Sequence, residues 1–194
     1  MEHVDRGTPA KIRKMPNRDV VVLQEQSQFP RYKTYYKSFE NAAILAQAAS
    51  DVNAKVLLME TWGWGDGVKF RGELELDGTY ATYQANLFTD YTALTASLGS
   101  NAALCPVGQV WQKAYNYLNN PVNNVRKGWK TLYARDGRHP SMTGTYLAAA
   151  TMYKCITNQS PASITWNPRS VPLWIRAKIF DWVDEIVDGS DLWT

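Results

Sequence analysis

Short apolar runs alternate with longer amphipathic stretches along this chain. The run "DVVVLQ" (residues 19–24) is almost continuously apolar and β-branched, a pattern suited to a strand buried on both faces of a parallel sheet. Residues 35–54 follow with Phe39, Ala42, Ala43, Leu45 and Ala46 on one helical side. "AKVLLMETW" (54–62) is a second buried run and ends in the glycine-rich loop "GWGDG" (63–67). Residues 79–99 read as a long helix closed by Gly99 at its C-terminal cap. "AALCPVG" (102–108) reads as a third strand interrupted by Pro106, and residues 109–120 as a helix that stops before Pro121. "WKTLYA" (129–134) reads as a short extended piece. A helix over 141–157 has Ser141 as its N-cap, and the last helix opens at Pro172 and runs to Val187. This alternation predicts an α/β domain with parallel strands. No repeat, low-complexity segment or long linker divides residues 1–194, so a single domain is expected.

In such folds ligands gather at the carboxyl ends of the strands. The segments of interest are therefore 24–28, 60–67, 106–111 and 136–141. Composition narrows the chemistry. The formal charge is only +3, with its densest basic cluster in "KIRK" (11–14), so no nucleic-acid partner is expected. Eight tryptophans and eleven tyrosines exceed what a core of this size needs, and suggest a wall for a sugar-like or flat ligand or for a protein interface. Cys105 and Cys155 sit in separate apolar segments and read as two buried thiols, with a disulfide between them as the alternative. No CxxC or Cys/His cluster suggests a metal, no cofactor motif occurs, and no apolar stretch is long enough to span a membrane. The start of the chain has no apolar core of a signal peptide, and the Asn158-Gln159-Ser160 sequon matters only for a secreted protein, so the compartment stays open.

"DGRHPS" (136–141) carries the clearest chemistry. A carboxylate three residues before a histidine can reach its imidazole within one turn, fix the tautomer and stabilise the imidazolium, as a general base requires. The plain alternative is a surface histidine in a loop. Trp62 and Trp64 in "TWGWGDG" could line a substrate groove or simply pack. That loop lacks the Gly-Lys-Ser/Thr ending of a phosphate loop. Glu25 and Glu60 follow buried runs and form a conceivable carboxylate pair for glycoside hydrolysis, though strand-end acids often have no such duty.

Several blocks resemble a known family. "DGRHPSMTGTYLAAATMY" is similar to the last block of the SGNH (GDSL-type) hydrolases, in which an Asp and a His three residues apart complete a Ser-His-Asp triad. "DVVVLQEQSQFP" resembles the third-block region of one branch of that family, and "LLMETW" and "LCPVGQVW" resemble its next two strands. The likeness runs from about residue 19 to residue 161. It implies a flavodoxin-like three-layer α/β/α sandwich with a parallel sheet. It also implies hydrolysis of a carboxylic ester or of an O-acetyl group on a carbohydrate, with no cofactor. His139 would be the base and Asp136 its orienting partner. Gln26, with Gln24, would supply the amide donor of an oxyanion hole.

The family's Gly-Asp-Ser or Gly-Asn-Ser block, which carries the nucleophile, is absent from this sequence. Ser27 follows the first buried run and is the candidate substitute, although Gln24, Glu25 and Gln26 lack the glycine that a tight nucleophile turn favours. Residues 2–14 resemble the helix leading into the third block. The expectation is therefore an amino-terminally shortened domain lacking the first strands of the fold. Its sheet edge would be open or covered by another chain, because unpaired backbone is costly when buried. Two functions follow from the resemblance: an ester hydrolase, or a non-catalytic SGNH-like binding or structural subunit.

Overall fold

Strand β1 (Val20–Gln24) pairs in parallel with β2 (Lys55–Met59), which pairs in parallel with β3 (Ala102–Cys105). The sheet order is β1-β2-β3, with Val20 opposite Lys55 and Val56 opposite Ala102. These assignments come from a computed structural model, which describes residues 2–15, 19–26, 37–67 and 78–188. The described residues form two compact units, Met1–Thr61 with Leu87–Cys105, and Trp62–Asn86 with Pro106–Thr194.

The first unit holds the sheet. Val56, Leu57 and Leu58 of β2 are all buried, as a continuous apolar run predicts for a strand covered on both faces. Two short helices, α1 (Glu2–Asp5) and α2 (Thr8–Arg13), precede the sheet, and α3 (Ser38–Ser50) connects β1 to β2. Ile12 of α2, Ala46 and Ala49 of α3, and Val56 of β2 form one buried cluster. Small alanines let the helix backbone approach closely. Helix α4 (Tyr80–Ser97) runs toward β3 and contributes Leu87, Tyr91 and Leu94 to the interior of this unit at helical spacing. The Tyr91 hydroxyl donates to the Glu25 carbonyl at 2.7 Å and lies 3.2 Å from Thr61 Oγ1, which ties together the segments leaving β1 and β2. Burial pushes the Tyr91 hydroxyl well above the usual tyrosine range.

The second unit is helical and aromatic. It contains α5 (Val107–Asn119), α6 (Met142–Thr157) and α7 (Leu173–Ile186), which pack on one another. Ile175, Ile179 and Val183 form the buried stripe of α7 at i, i+4, i+8 spacing. Trp111 of α5 stacks on Trp62 with ring centroids 4.2 Å apart and meets Tyr133 edge-on at 5.2 Å. Gly144 in the first turn of α6 makes room for this cluster. A Cβ there would lie 2.2 Å from the Leu132 carbonyl oxygen and 2.4 Å from Trp111 Cη2.

The fold class is α/β with a parallel sheet, consistent with a flavodoxin-like sandwich. Ser141 caps α6 as expected, its Oγ accepting from Gly144 N at 3.2 Å. Gly99 takes a left-handed φ of 82° just beyond α4. Three expectations are corrected. Val107 and Gly108 begin α5 instead of prolonging β3, because the Pro106 carbonyl already accepts from Gln109 and Val110 as a helix start does. The segment 129–134 is not extended. Gly128, at φ 52°, turns the chain into a 3-10 turn over Gly128–Thr131, and only an isolated bridge joins Tyr133 to Pro140. Finally, β1 is not buried on both faces. Among the described residues it has a strand partner on one side only, and Val22 is 42% exposed.

The stretch before β1 is helical where described, so the described part of it does not close the sheet. A cavity of about 630 Å³, lined by Ile12, Val20, Val22, Leu45 and Leu58 among others, lies beside β1. Both cysteines are buried and neither forms a disulfide. No described helix is long and apolar enough to cross a membrane.

Candidate active site

The turn between the 3-10 segment and α6 presents Asp136 and His139. It is built from the backbone outward. Leu132 O accepts from Ser141 N at 2.9 Å and Ala134 N donates to His139 O at 2.8 Å, so the turn is pinned at its base. Gly137, at φ 69°, makes the reversal, and its N–H donates to Ala134 O. Asp136 Oδ1 accepts from the N–H groups of Arg138 and His139 at 2.9 and 3.0 Å, an Asx-type closure. This leaves Asp136 Oδ2 directed at His139 Nδ1, 2.5 Å away.

The electrostatics follow from these contacts. The His139 ring, then the two backbone N–H groups, lower the Asp136 pKa to about 2. The carboxylate therefore stays charged at all ordinary pH values. It accepts the proton on Nδ1, which leaves Nε2 of the neutral ring as the free basic nitrogen. The His139 side chain is 79% exposed, so that nitrogen is open to an incoming group. This arrangement can accept a proton at Nε2 and stabilise the resulting imidazolium.

The tryptophan loop holds the turn from the side. Trp62 Nε1 donates to Arg138 O at 3.0 Å, and Gly65 N donates to Gly137 O at 2.8 Å. The Arg138 guanidinium lies 4.0 Å from the Trp64 ring centroid, within cation–π range. Gly65 is close to obligatory, since a Cβ there would come within 2.1 Å of Trp129 Cζ3. Tyr133 donates its hydroxyl to Gly63 O at 2.7 Å, and burial raises its pKa beyond the ordinary tyrosine range.

The structure thus brings Asp136, His139, Trp62 and Trp64 into one cluster within the second unit. Gln24 and Gln26 belong to the first unit, both exposed at the end of β1, with Gln26 N donating to Glu25 Oε1 at 2.9 Å. Ser27 lies outside the described residues. Glu25 and Glu60 are also in the first unit, where their charges add to the upward push on Tyr91. No group of three potential metal ligands occurs among the described residues. Arg138, Trp111 and Tyr133 were not singled out from the sequence. The signal for Arg138 was present, a cation beside the histidine in the same turn; the pairing of Tyr133 with Gly63 has no local signature.

No family model and no curated protein matches the chain. Among solved structures, the fold is similar to the crystal structure of a DUF4886 family protein from Bacteroides uniformis ATCC 8492, with a TM-score of 0.69 and 14% sequence identity. The match covers 92% of this chain and 65% of that one. At this identity the likeness establishes the shared fold.

Proposed function

We propose that the chain is an SGNH-type ester hydrolase scaffold in which Asp136 and His139 form the acid–base pair. The observation that carries this reading is the 2.5 Å contact between Asp136 Oδ2 and His139 Nδ1, on a carboxylate already fixed by two backbone N–H groups. The ordered sequence blocks at 19–30, 57–62, 104–111 and 136–153 support it. In the proposed reaction His139 Nε2 takes the proton of an attacking hydroxyl and returns it to the leaving alcohol, with Asp136 holding the ring throughout. Gln26 and Gln24 are the proposed oxyanion donors, and Ser27 is the nucleophile this sequence offers. The substrate is a carboxylic ester or an O-acetylated carbohydrate.

The second reading is a non-catalytic SGNH-like subunit. The sequence contains neither Gly-Asp-Ser nor Gly-Asn-Ser, and the outer edge of β1 has no strand partner among the described residues. In that reading another chain covers the edge. Hydrolysis of p-nitrophenyl acetate by the chain, by His139→Ala and by Ser27→Ala separates the two. Turnover lost in His139→Ala supports the hydrolase. Turnover lost in Ser27→Ala as well assigns the nucleophile. Absence of turnover in the unmodified chain favours the binding subunit.

A further inference from the structure

The loop that leads into the Asp136–His139 turn is one of two strongly cationic stretches of the chain. Residues 126–138 contain five basic side chains, Arg126, Lys127, Lys130, Arg135 and Arg138, and one acid, Asp136. The other is residues 6–18, around "KIRK", with five basic residues and no acid. Several cations elsewhere are paired: Arg13 with Asp51, Lys113 with Glu185, and Lys154 with Asp184. Lys127, Lys130 and Arg135 have no acidic partner among the described residues.

These three cations share one concavity. A cavity of about 500 Å³ is lined by Lys127, Lys130 and Arg135 together with Trp129, Asp66 and Asp136. The Asp136 carboxylate is spent on His139 and two N–H groups, so Asp66 is the remaining acid on that wall. Three cations against one uncommitted carboxylate leave a positive basin directly beside the proposed base. Trp129 gives it a flat wall: its ring sits against Gly65 and Gly137, meets Tyr133 edge-on at 5.3 Å, stacks on Tyr115 at 6.2 Å and has Lys130 Nζ 5.9 Å from its centroid. Lys127 and Trp129 also line a second cavity of about 500 Å³, with Asn119, Asn120 and Arg126 among its other residues. Side-chain amides there can both donate to and accept from hydroxyl groups.

Resting on the hydrolase reading above, we propose that this basin is the subsite for an acidic saccharide. Carboxylate or sulfate groups engage Lys127, Lys130 and Arg135, and a sugar ring lies against Trp129. The apolar face of a pyranose suits an indole, and the asparagines suit its hydroxyls. The two sources of negative charge share this chemistry. A nucleic acid fits less well, because binding single strands relies on several successive stacking faces and a basic track, whereas here one indole serves both cavities and the chain's net charge is only +3.

Binding is measured by isothermal titration on His139→Ala, so that the result does not depend on whether the chain hydrolyses esters. The probes are trigalacturonate for carboxylate, a chondroitin sulfate tetrasaccharide for sulfate, xylotriose as the neutral control and oligothymidylate as the nucleic acid. At least one acidic sugar is expected to bind about tenfold or more tighter than xylotriose, a difference of about 1.4 kcal/mol. Its affinity should fall with salt and drop about tenfold in the Lys127→Ala/Lys130→Ala/Arg135→Ala variant, whose melting temperature should be unchanged. The single variant Arg135→Gln should show a smaller loss in the same direction. Equal affinity for xylotriose, tighter binding of oligothymidylate, or no binding of either acidic sugar would overturn the proposal. If acidic sugars bind and no ester is cleaved, the subsite stands and the hydrolase reading fails.

Discussion

Gly144→Ala is the most direct test of how the Asp136–His139 turn is supported. In an unencumbered helix this change is favourable by up to about 1 kcal/mol, because alanine loses less backbone entropy. Here the added Cβ would sit 2.2 Å from Leu132 O and 2.4 Å from Trp111 Cη2, where ordinary contacts begin at 3.4 Å. Both neighbours would have to retreat by about 1 Å, and overpacking of this kind costs about 1–3 kcal/mol. Leu132 O also accepts the Ser141 N–H at 2.9 Å, and Trp111 carries the Trp62 ring whose indole holds Arg138 O. Neither can move without disturbing the turn. The clash should therefore outweigh the propensity gain, for a net loss of about 1–2 kcal/mol. At about 2–4 °C per kcal/mol for a chain of this size, the melting temperature should fall by about 2–8 °C. The assay is thermal unfolding followed by circular dichroism, with the His139 ring signals read by NMR. Thr145→Ala, exposed on the same helix, is the control and should change stability by no more than a few tenths of a kcal/mol. A rise in melting temperature for Gly144→Ala would refute the close approach of α6 to Leu132 and Trp111.

Three further outcomes are expected. Asp136 has a lowered pKa in the folded chain, so its contribution to stability is complete above about pH 4 and is lost as the pH falls toward about 2. The difference in urea midpoint between the chain and Asp136→Asn should therefore narrow as the pH falls from about 4 through 2; a difference that does not narrow over that range would contradict the hydrogen-bond assignment. Ser141→Ala removes the N-cap of α6 and the 2.6 Å bond from Ser141 Oγ to Thr131 O, and should cost about 1 kcal/mol in chemical denaturation. Tyr133→Phe leaves the buried Gly63 carbonyl without its 2.7 Å donor and should cost about 1–3 kcal/mol, whereas Tyr153→Phe, whose hydroxyl bonds are exposed, should be nearly neutral.

What could be read from the sequence was what depends on neighbours along the chain. The β2 run, the Ser141 cap and the Asp136–His139 pair are set by residues within a few positions of each other. The burial of β1 differs from expectation because a β-branched run says what a strand can tolerate, not how fully its faces are covered, and Val22 and Gln24 are exposed. Likewise "WKTLYA" has strand-favouring residues, yet Gly128 ahead of it adopts a left-handed φ and the backbone curls into a 3-10 turn. The clamp on the turn was hidden for the same reason. Trp62 and Arg138 are 76 positions apart, and neither carries a local sign of the other.

The surplus of aromatic residues has two uses in the second unit, and the distinction decides where a ligand can meet them. Trp111 is fully buried. Trp62 is stacked on it, with its N–H committed to the turn. Trp64 carries the Arg138 guanidinium on its face and meets Tyr83 edge-on. These rings act first as a frame that fixes where His139 stands. Trp129 differs: its ring lies against glycines, yet it borders two cavities and has the Lys130 ammonium 5.9 Å from its ring centroid. A rigid ring with an open side loses little freedom when a ligand stacks on it, so it is the better recognition surface. The frame and the recognition surface meet at Gly65 and Gly137, whose backbones hydrogen-bond to each other and lie against Trp129. A side chain at Gly65 would therefore displace Trp129 and loosen the Asp136–His139 turn together, which couples the proposed subsite to the geometry of the proposed base.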